Sequence, residues 1–341
     1  MEDNYAAFLV RPRRKPFDVD EADSRFPDED ELVIKNAAVS VNPIDTFMQN
    51  EQVQNLTTPA ILGADVAGEV VDVGSQVNRF SVGDRVMGHA LRLATEDDRH
   101  AAFQNYTVLF PNMACPIPQS LSYEDASTMP LGISTAAAAL FQEKTLRLQP
   151  PVLYPPTRDE WVIIAGATGN VGSHGVRLAA AAGYKVLGTA STSSFDVAKK
   201  LGATELVDYK SKDLAGALLQ KLAGQKVAGA FDASGNEKSN IDLVKALTEC
   251  VGNRVLTTVL DWWPGDDPVP KEVKFTPIQA IDIRNNAVGK MVWEDYLPDA
   301  LATGKYFIPF PKASVVGNGL GAIQGAMDGK ASGGKAVVTL K

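Results

Sequence analysis

The chain has 341 residues, of which 45% are apolar and 22% charged, so it carries enough material for two globular domains. Its formal net charge of −8 argues against a nucleic-acid surface, which needs clustered Lys and Arg. Two cysteines, Cys115 and Cys250, cannot make a disulfide framework; the Met-Glu-Asp-Asn start lacks a basic leader, and no apolar run approaches the roughly twenty residues of a membrane span. The expected setting is the reducing cytoplasm, without nucleic-acid or membrane partners.

In chain order, the short basic run from Arg11 to Lys15 is followed by acidic residues and reads as a solvated loop. Residues 1–125 hold short β-prone runs (31–41, 67–73 and 103–110) between Gly, Pro and Asp turns, the texture of a mainly β, barrel-like domain. An Ala-rich helix around Ala136 to Ala139 bridges onward. Pro150, Pro151, Pro155 and Pro156 mark a stiff loop. From 160 to 260 strand and helix alternate: strands at Trp161–Ala165, Lys185–Ala190, 205–209, 227–232 and 254–260, helices near 170–182, 194–201, 211–223 and 237–248. Gly183 and Gly202 stand where helices end. That spacing implies a parallel sheet with helices on both faces. The tail from about 285 holds a helix near 293–303 and a closing strand near 335–340.

The stretch that carries most chemistry is Gly166-Ala167-Thr168-Gly169-Asn170-Val171-Gly172. It follows the first strand and opens a helix, which places backbone N–H groups at a helix N-terminus suited to a pyrophosphate. The acidic residue that grips a ribose 2′-OH in NAD sites belongs about twenty residues further on. Here that place is a hydroxyl run, Ser191-Thr192-Ser193-Ser194, which removes the repulsion toward a 2′-phosphate. The three histidines, His89, His100 and His174, show no metal-ligand spacing.

Several segments together resemble the medium-chain dehydrogenase/reductase superfamily. They are Gly63-Ala64-Asp65-Val66-Ala67-Gly68-Glu69-Val70-Val71-Asp72-Val73-Gly74, Phe80-Ser81-Val82-Gly83-Asp84-Arg85-Val86, Val41-Asn42-Pro43-Ile44-Asp45 and Ser134-Thr135-Ala136. With the glycine motif they cover nearly the whole chain in the family's order. The likeness is to the zinc-independent branch, which includes quinone oxidoreductases and fungal trans-acting enoyl reductases. It implies an α/β protein: a GroES-like β-barrel catalytic domain (1–128 and 285–341) and a Rossmann domain with a doubly wound parallel sheet (129–284).

The same resemblance assigns roles. Zinc-dependent members place ligands where this chain has Asn42 and Ala64, so no metal is expected. Ser191, Lys199 and Tyr209 match contacts to an NADPH 2′-phosphate, although Lys199 equally suits a plain surface helix. With no Arg in the 191–194 loop, the grip on that phosphate is expected to be modest. Thr135 matches a threonine beside the nicotinamide, or else serves with Ser134 as a helix N-cap. Asn42 is expected to orient the cofactor, while Asp45 either faces it or stabilises its own turn. Phe47 stands where fungal relatives have a lysine. It makes the substrate pocket more apolar, or it packs in the core, and it leaves carbonyl activation to Thr135, backbone N–H groups or water. Trp262 and Trp263 wall the substrate pocket, form a dimer contact, or pack inside.

The implied function is an NADPH-dependent reductase passing hydride to an activated C=C of a polyketide-like or other specialised metabolite, free or carrier-bound. An NADPH:quinone oxidoreductase and an NADPH-binding sensor or partner protein without turnover are the alternatives. Monomer and homodimer both remain open.

Overall fold

The computed structural model describes all residues except 1–2, 24–25, 52–55, 307–310, 330, 332–333 and 341. The chain divides into two compact units. One comprises Met1–Leu131, Leu301–Gly304 and Pro311–Lys341; the other comprises Gly132–Ala300 and Lys305–Phe310.

The first unit is mainly β. Its seven-stranded sheet is organised around Leu32–Ser40, a mainly apolar strand buried along its length except at Lys35 and, partly, Ala37. Asp65–Val73 pairs antiparallel along the whole of it, Tyr106–Leu109 along its first half, and Lys335–Thr339 along its last three residues. Two register shifts interrupt the pairing with Asp65–Val73. Beside the second, a Cβ on Gly68 would stand 2.1 Å from the Lys35 carbonyl oxygen, so only glycine permits that approach. A second sheet joins Asp18–Glu21, Tyr5–Leu9 and Ala60–Ile61. Phe103 fills the core edge-on to Phe17, with ring centroids 6.2 Å apart. Burying such a ring contributes about 1.5–3 kcal/mol.

One buried carboxylate ties the chain ends of this unit together. Asp65 is fully buried. Its Oδ2 accepts from Ser40 Oγ (3.0 Å), from Asn42 Nδ2 (2.9 Å) and from the Lys335 ammonium, and its Oδ1 accepts from the Leu131 N–H at 2.6 Å. Lys335 also donates to the Thr128 carbonyl at 3.0 Å. A C-terminal strand, an early strand and the segment entering the next unit therefore converge on a single acid.

The second unit is the alternating one. Its strands and helices run β1 (Trp161–Ala165), α1 (Asn170–Ala181), β2 (Lys185–Ala190), α2 (Phe195–Leu201), β3 (Glu205–Asp208), α3 (Leu214–Lys221), β4 (Lys226–Asp232), α4 (Glu237–Glu249), β5 (Val255–Thr258) and β6 (Lys274–Pro277). All pair in parallel, in the order β3-β2-β1-β4-β5-β6, with the two-residue strand Val251–Gly252 beside β4. The order reverses between β1 and β4, which opens a crevice at their carboxyl ends. Gly183 and Gly202 have φ of +87° and +117°, the left-handed conformation that ends α1 and α2. The edge strand β6 is absent from the sequence reading because its four residues are half-exposed, lack alternation and end in proline.

Residues 285–300, assigned to the barrel domain from sequence, pack in the second unit instead. Their anchor is Trp293, fully buried, whose indole N–H donates to Ser134 Oγ at 3.2 Å. The helix there begins as the α-helical turn Ala287–Gly289, becomes π-helical over Lys290–Tyr296 and continues as Leu297–Ala302.

Replacing Lys335 by Met should leave the Asp65 carboxylate buried without its cation and lower the unfolding free energy by about 3–5 kcal/mol in chemical denaturation. A loss below about 1 kcal/mol would mean the acid finds adequate compensation from its neutral donors alone.

Candidate active site

The glycine turn is set by two close approaches. After β1 the chain enters Gly166 at φ +72°, and a Cβ on Gly172 would stand 2.0 Å from the Gly166 carbonyl oxygen. The first turn of α1, made by Asn170, Val171 and Gly172, is thereby pressed against the end of β1. Thr189 on β2 fastens the other side: its Oγ1 accepts from the Gly166 N–H at 3.2 Å and its carbonyl from the Ala167 N–H at 2.9 Å.

A cavity of about 690 Å³ lies beside this turn at the carboxyl ends of β1 to β4. Five of the residues singled out from sequence line it together: Gly166, Thr168, Gly169, Ser191 and Tyr209. At the end of β2, Ser191 Oγ lies 3.0 Å from Ser193 Oγ and 2.9 Å from Ser194 Oγ, a cluster of hydroxyls with no acid among them. Lys199 is not on this wall; it is exposed in the last turn of α2. The wall's lysines are Lys210, whose ammonium lies 5.7 Å from the Tyr209 ring centroid, and Lys238, which pairs with Asp242. Lys210 makes no salt bridge to any described residue, and it lines the cavity. Its adjacency to Tyr209 was the available sequence signal. Ser234 and Asn236, from the loop after β4, and Ser239, from the first turn of α4, complete the far wall and carry no signal in the sequence analysis.

The remaining candidates sit elsewhere. Asn42 is buried in the first unit, with its amide donating to Asp65 and its backbone N–H donating to Asp45 Oδ2 at 2.8 Å. Asp45 thus stabilises the start of the helix Pro43–Asn50. Phe47, on that helix, is 53% exposed, which removes the core-packing reading. Ser134 and Thr135 lie in the middle of the helix Pro130–Phe141, both buried, so neither is an N-cap. The two tryptophans separate. Trp262 is half-exposed, whereas Trp263 packs edge-on against Phe275 (5.5 Å) and its indole N–H donates to the Asp267 carbonyl at 2.7 Å. Of the three readings offered from sequence, these contacts favour packing for Trp263, at the edge of the Rossmann sheet.

The donors around Asn42 do not suit zinc. Ala64 offers no ligand, and the Asn42 amide is bonded to Asp65. Burial pushes the Cys115 thiol well above its ordinary range, so it does not supply a thiolate. Burial likewise lowers His89 to about 4. Desolvation raises Asp45 to about 7, with the nearby Asp65 charge acting in the same direction. Among the described residues no group of three or more His, Cys, Asp or Glu side chains could hold a metal ion, and no helix is long and apolar enough to cross a membrane.

Comparison with known proteins agrees with this architecture. The alcohol dehydrogenase GroES-like domain model matches residues 28–119, and the zinc-binding dehydrogenase model matches residues 170–300. The zinc-binding alcohol dehydrogenase domain-containing protein cipB of Emericella nidulans is 41% identical over 97% of this chain and 95% of its own. The trans-enoyl reductase himH of Aspergillus japonicus is 34% identical over 95% and 93%. In fold, the chain is similar to the Escherichia coli quinone oxidoreductase solved with NADPH (TM-score 0.70, 20% identity, 99% of each chain or more).

Two outcomes follow from the geometry. Gly172→Ala should force the turn away from α1 and weaken dinucleotide binding at least about tenfold by fluorescence titration, since no Cβ fits against the Gly166 carbonyl. His89 is neutral when folded and titrates near its ordinary value when unfolded. Unfolded chains therefore bind the extra proton first as pH falls, and stability drops between about 6.5 and 4. Relative to His89→Gln, wild type should lose roughly 3 kcal/mol across that window in urea denaturation; parallel curves would show that His89 is accessible to water.

Proposed function

Because the chain belongs to the medium-chain dehydrogenase/reductase family of oxidoreductases, we propose that it is an NADPH-dependent, metal-independent reductase of activated C=C bonds. The substrate class is an enone or enoyl group on a polyketide-like or other specialised metabolite. The observation that carries the cofactor reading is the end of β2, where three clustered hydroxyls occupy the position of the acid that would repel a 2′-phosphate, with Lys210, from the segment after β3, lining the same cavity.

The dinucleotide, when bound, supplies a hydride. The chain's residues bind and orient. The glycine turn and the start of α1 receive the pyrophosphate on backbone N–H groups. Ser191, Tyr209 and Lys210 receive the 2′-phosphate, with Lys210 taking the part the family pattern gives to Lys199. Thr135 donates a hydrogen bond to the acceptor carbonyl as negative charge develops on it, and Asn42 is held in one orientation by Asp65. No side chain is assigned as the proton donor, which leaves water or the ribose hydroxyls to complete the reduction. Orientation of the two reactants accounts for most of the rate.

The lack of a zinc-suited donor set among the described residues favours a conjugated acceptor over an alcohol, since alkoxide oxidation leans on a Lewis acid. The relative named as a trans-enoyl reductase supports the same acceptor class. A second reading, quinone reduction, is favoured by the half-exposed Phe47, an apolar ring where a lysine would polarise a thioester.

NADPH should be preferred over NADH by more than about tenfold in kcat/KM or Kd, and Lys210→Ala should erase most of that margin. Equal affinities for the two cofactors in wild type would defeat the assignment. With C4-deuterated NADPH, deuterium should appear at the β-carbon of a reduced enone; unlabelled product would rule out direct hydride transfer. Turnover of simple quinones but not of enones or enoyl thioesters would select the second reading.

A further inference from the structure

The far wall of the nucleotide cavity is shaped by a side chain that does not line it. Asp232 is the last residue of β4, fully buried, and in register with Ala165 at the end of β1. It therefore sits at the crevice where strand order reverses.

Four hydrogen bonds converge on its carboxylate. Oδ1 accepts from the Ser234 N–H at 3.1 Å, from Ser234 Oγ at 2.6 Å and from Ser239 Oγ at 3.3 Å. Oδ2 accepts from Asn240 Nδ2 at 2.6 Å. The bonded groups are also bonded to one another. Ser234 Oγ accepts from the Asn236 N–H at 3.2 Å, and Asn236 Oδ1 caps α4 by accepting from the Ser239 N–H at 3.0 Å. The result is a closed ring from Asp232 through Ser234, Asn236 and Ser239 back to Asp232.

Three members of that ring, Ser234, Asn236 and Ser239, line the cavity. The loop also presses on the glycine turn, because a Cβ on Gly166 would stand 3.1 Å from Ser234 Cβ. The loop contains Gly235 at φ +61°, a residue with wide backbone freedom. Without its anchor this segment would sample many conformations, and binding would carry the cost of ordering it. The anchor itself is held at a cost: burial pushes the Asp232 carboxyl above its usual range despite four donors.

We propose that Asp232 is a positioning residue that presets the cavity wall formed by Ser234, Asn236 and Ser239 and thereby determines affinity for the nicotinamide dinucleotide. This rests on the assignment of the cavity as the NADPH site.

The test is a fluorescence titration of NADPH into wild type, Asp232→Asn and the double variant Ser234→Ala/Ser239→Ala, each checked by circular dichroism and thermal unfolding. An amide presents a single acceptor oxygen and adds two donors among donors. Asp232→Asn should therefore raise the NADPH Kd about tenfold in folded protein and shift the emission of bound NADPH toward that of free NADPH. The double variant keeps the buried acid and removes two side-chain donors, so it should raise the Kd about three- to fivefold, and it decides the question should Asp232→Asn not fold. Lower melting temperatures with both Kd values within about twofold of wild type would overturn the inference and leave the cavity assignment standing. Wild type without a saturable signal from NADPH or NADH would overturn both.

Discussion

At the end of the first Rossmann strand the chain turns with no room for a side chain. The Gly172 Cα lies so near the Gly166 carbonyl that even a methyl group would overlap it. That approach brings the first turn of α1 against the strand end, and the N-terminal N–H groups of α1 meet the crevice between β1 and β4. The cavity, the hydroxyl cluster at Ser191 and the loop after β4 are all arranged about this single contact. A helix starting one residue later would present a different set of donors to the same space.

Both units use a buried acid at a strand terminus to hold segments that hydrophobic packing does not order. Asp65 gathers Ser40, Asn42, Leu131 and Lys335; Asp232 gathers Ser234, Ser239 and Asn240. A buried carboxylate is a demanding choice, because each missing donor leaves charge unsolvated. What it provides is directionality. Apolar contacts accept many neighbouring arrangements, whereas a carboxylate with four donors accepts few. Asp65 neutralises its charge with Lys335, while Asp232 has only neutral donors, and burial raises the Asp232 carboxyl accordingly.

The alternating half of the molecule was legible because its strands are continuous apolar runs and its helices end at glycines. β1 and β2 begin and end where those runs do. β6 leaves little signal in the sequence because it is a short, half-exposed edge strand whose pairing with β5 supplies most of its definition. Among site residues, the glycine turn and Ser191 could be located by counting along one βαβ unit. Lys199 could not be separated from Lys210 that way. Which lysine reaches the cavity depends on the rotation of α2 and on where the chain emerges after β3. Trp262 and Trp263 are neighbours in sequence, yet only Trp263 finds Phe275 on the next strand.

The amino-acid sequence by itself determined the two-unit plan, the dinucleotide turn, the lack of an acid after β2 and the lack of zinc ligands at Asn42 and Ala64. These are local properties, carried by residue type and spacing over a few turns of chain. Tertiary structure decided that Asn42 is bound to Asp65, that Lys210 lines the cavity, that Ser134 and Thr135 lie within a helix, and that Asp232 organises the opposite wall. Each of those joins residues from different elements, and hydrogen-bond geometry between elements exists only once the sheet has ordered its strands.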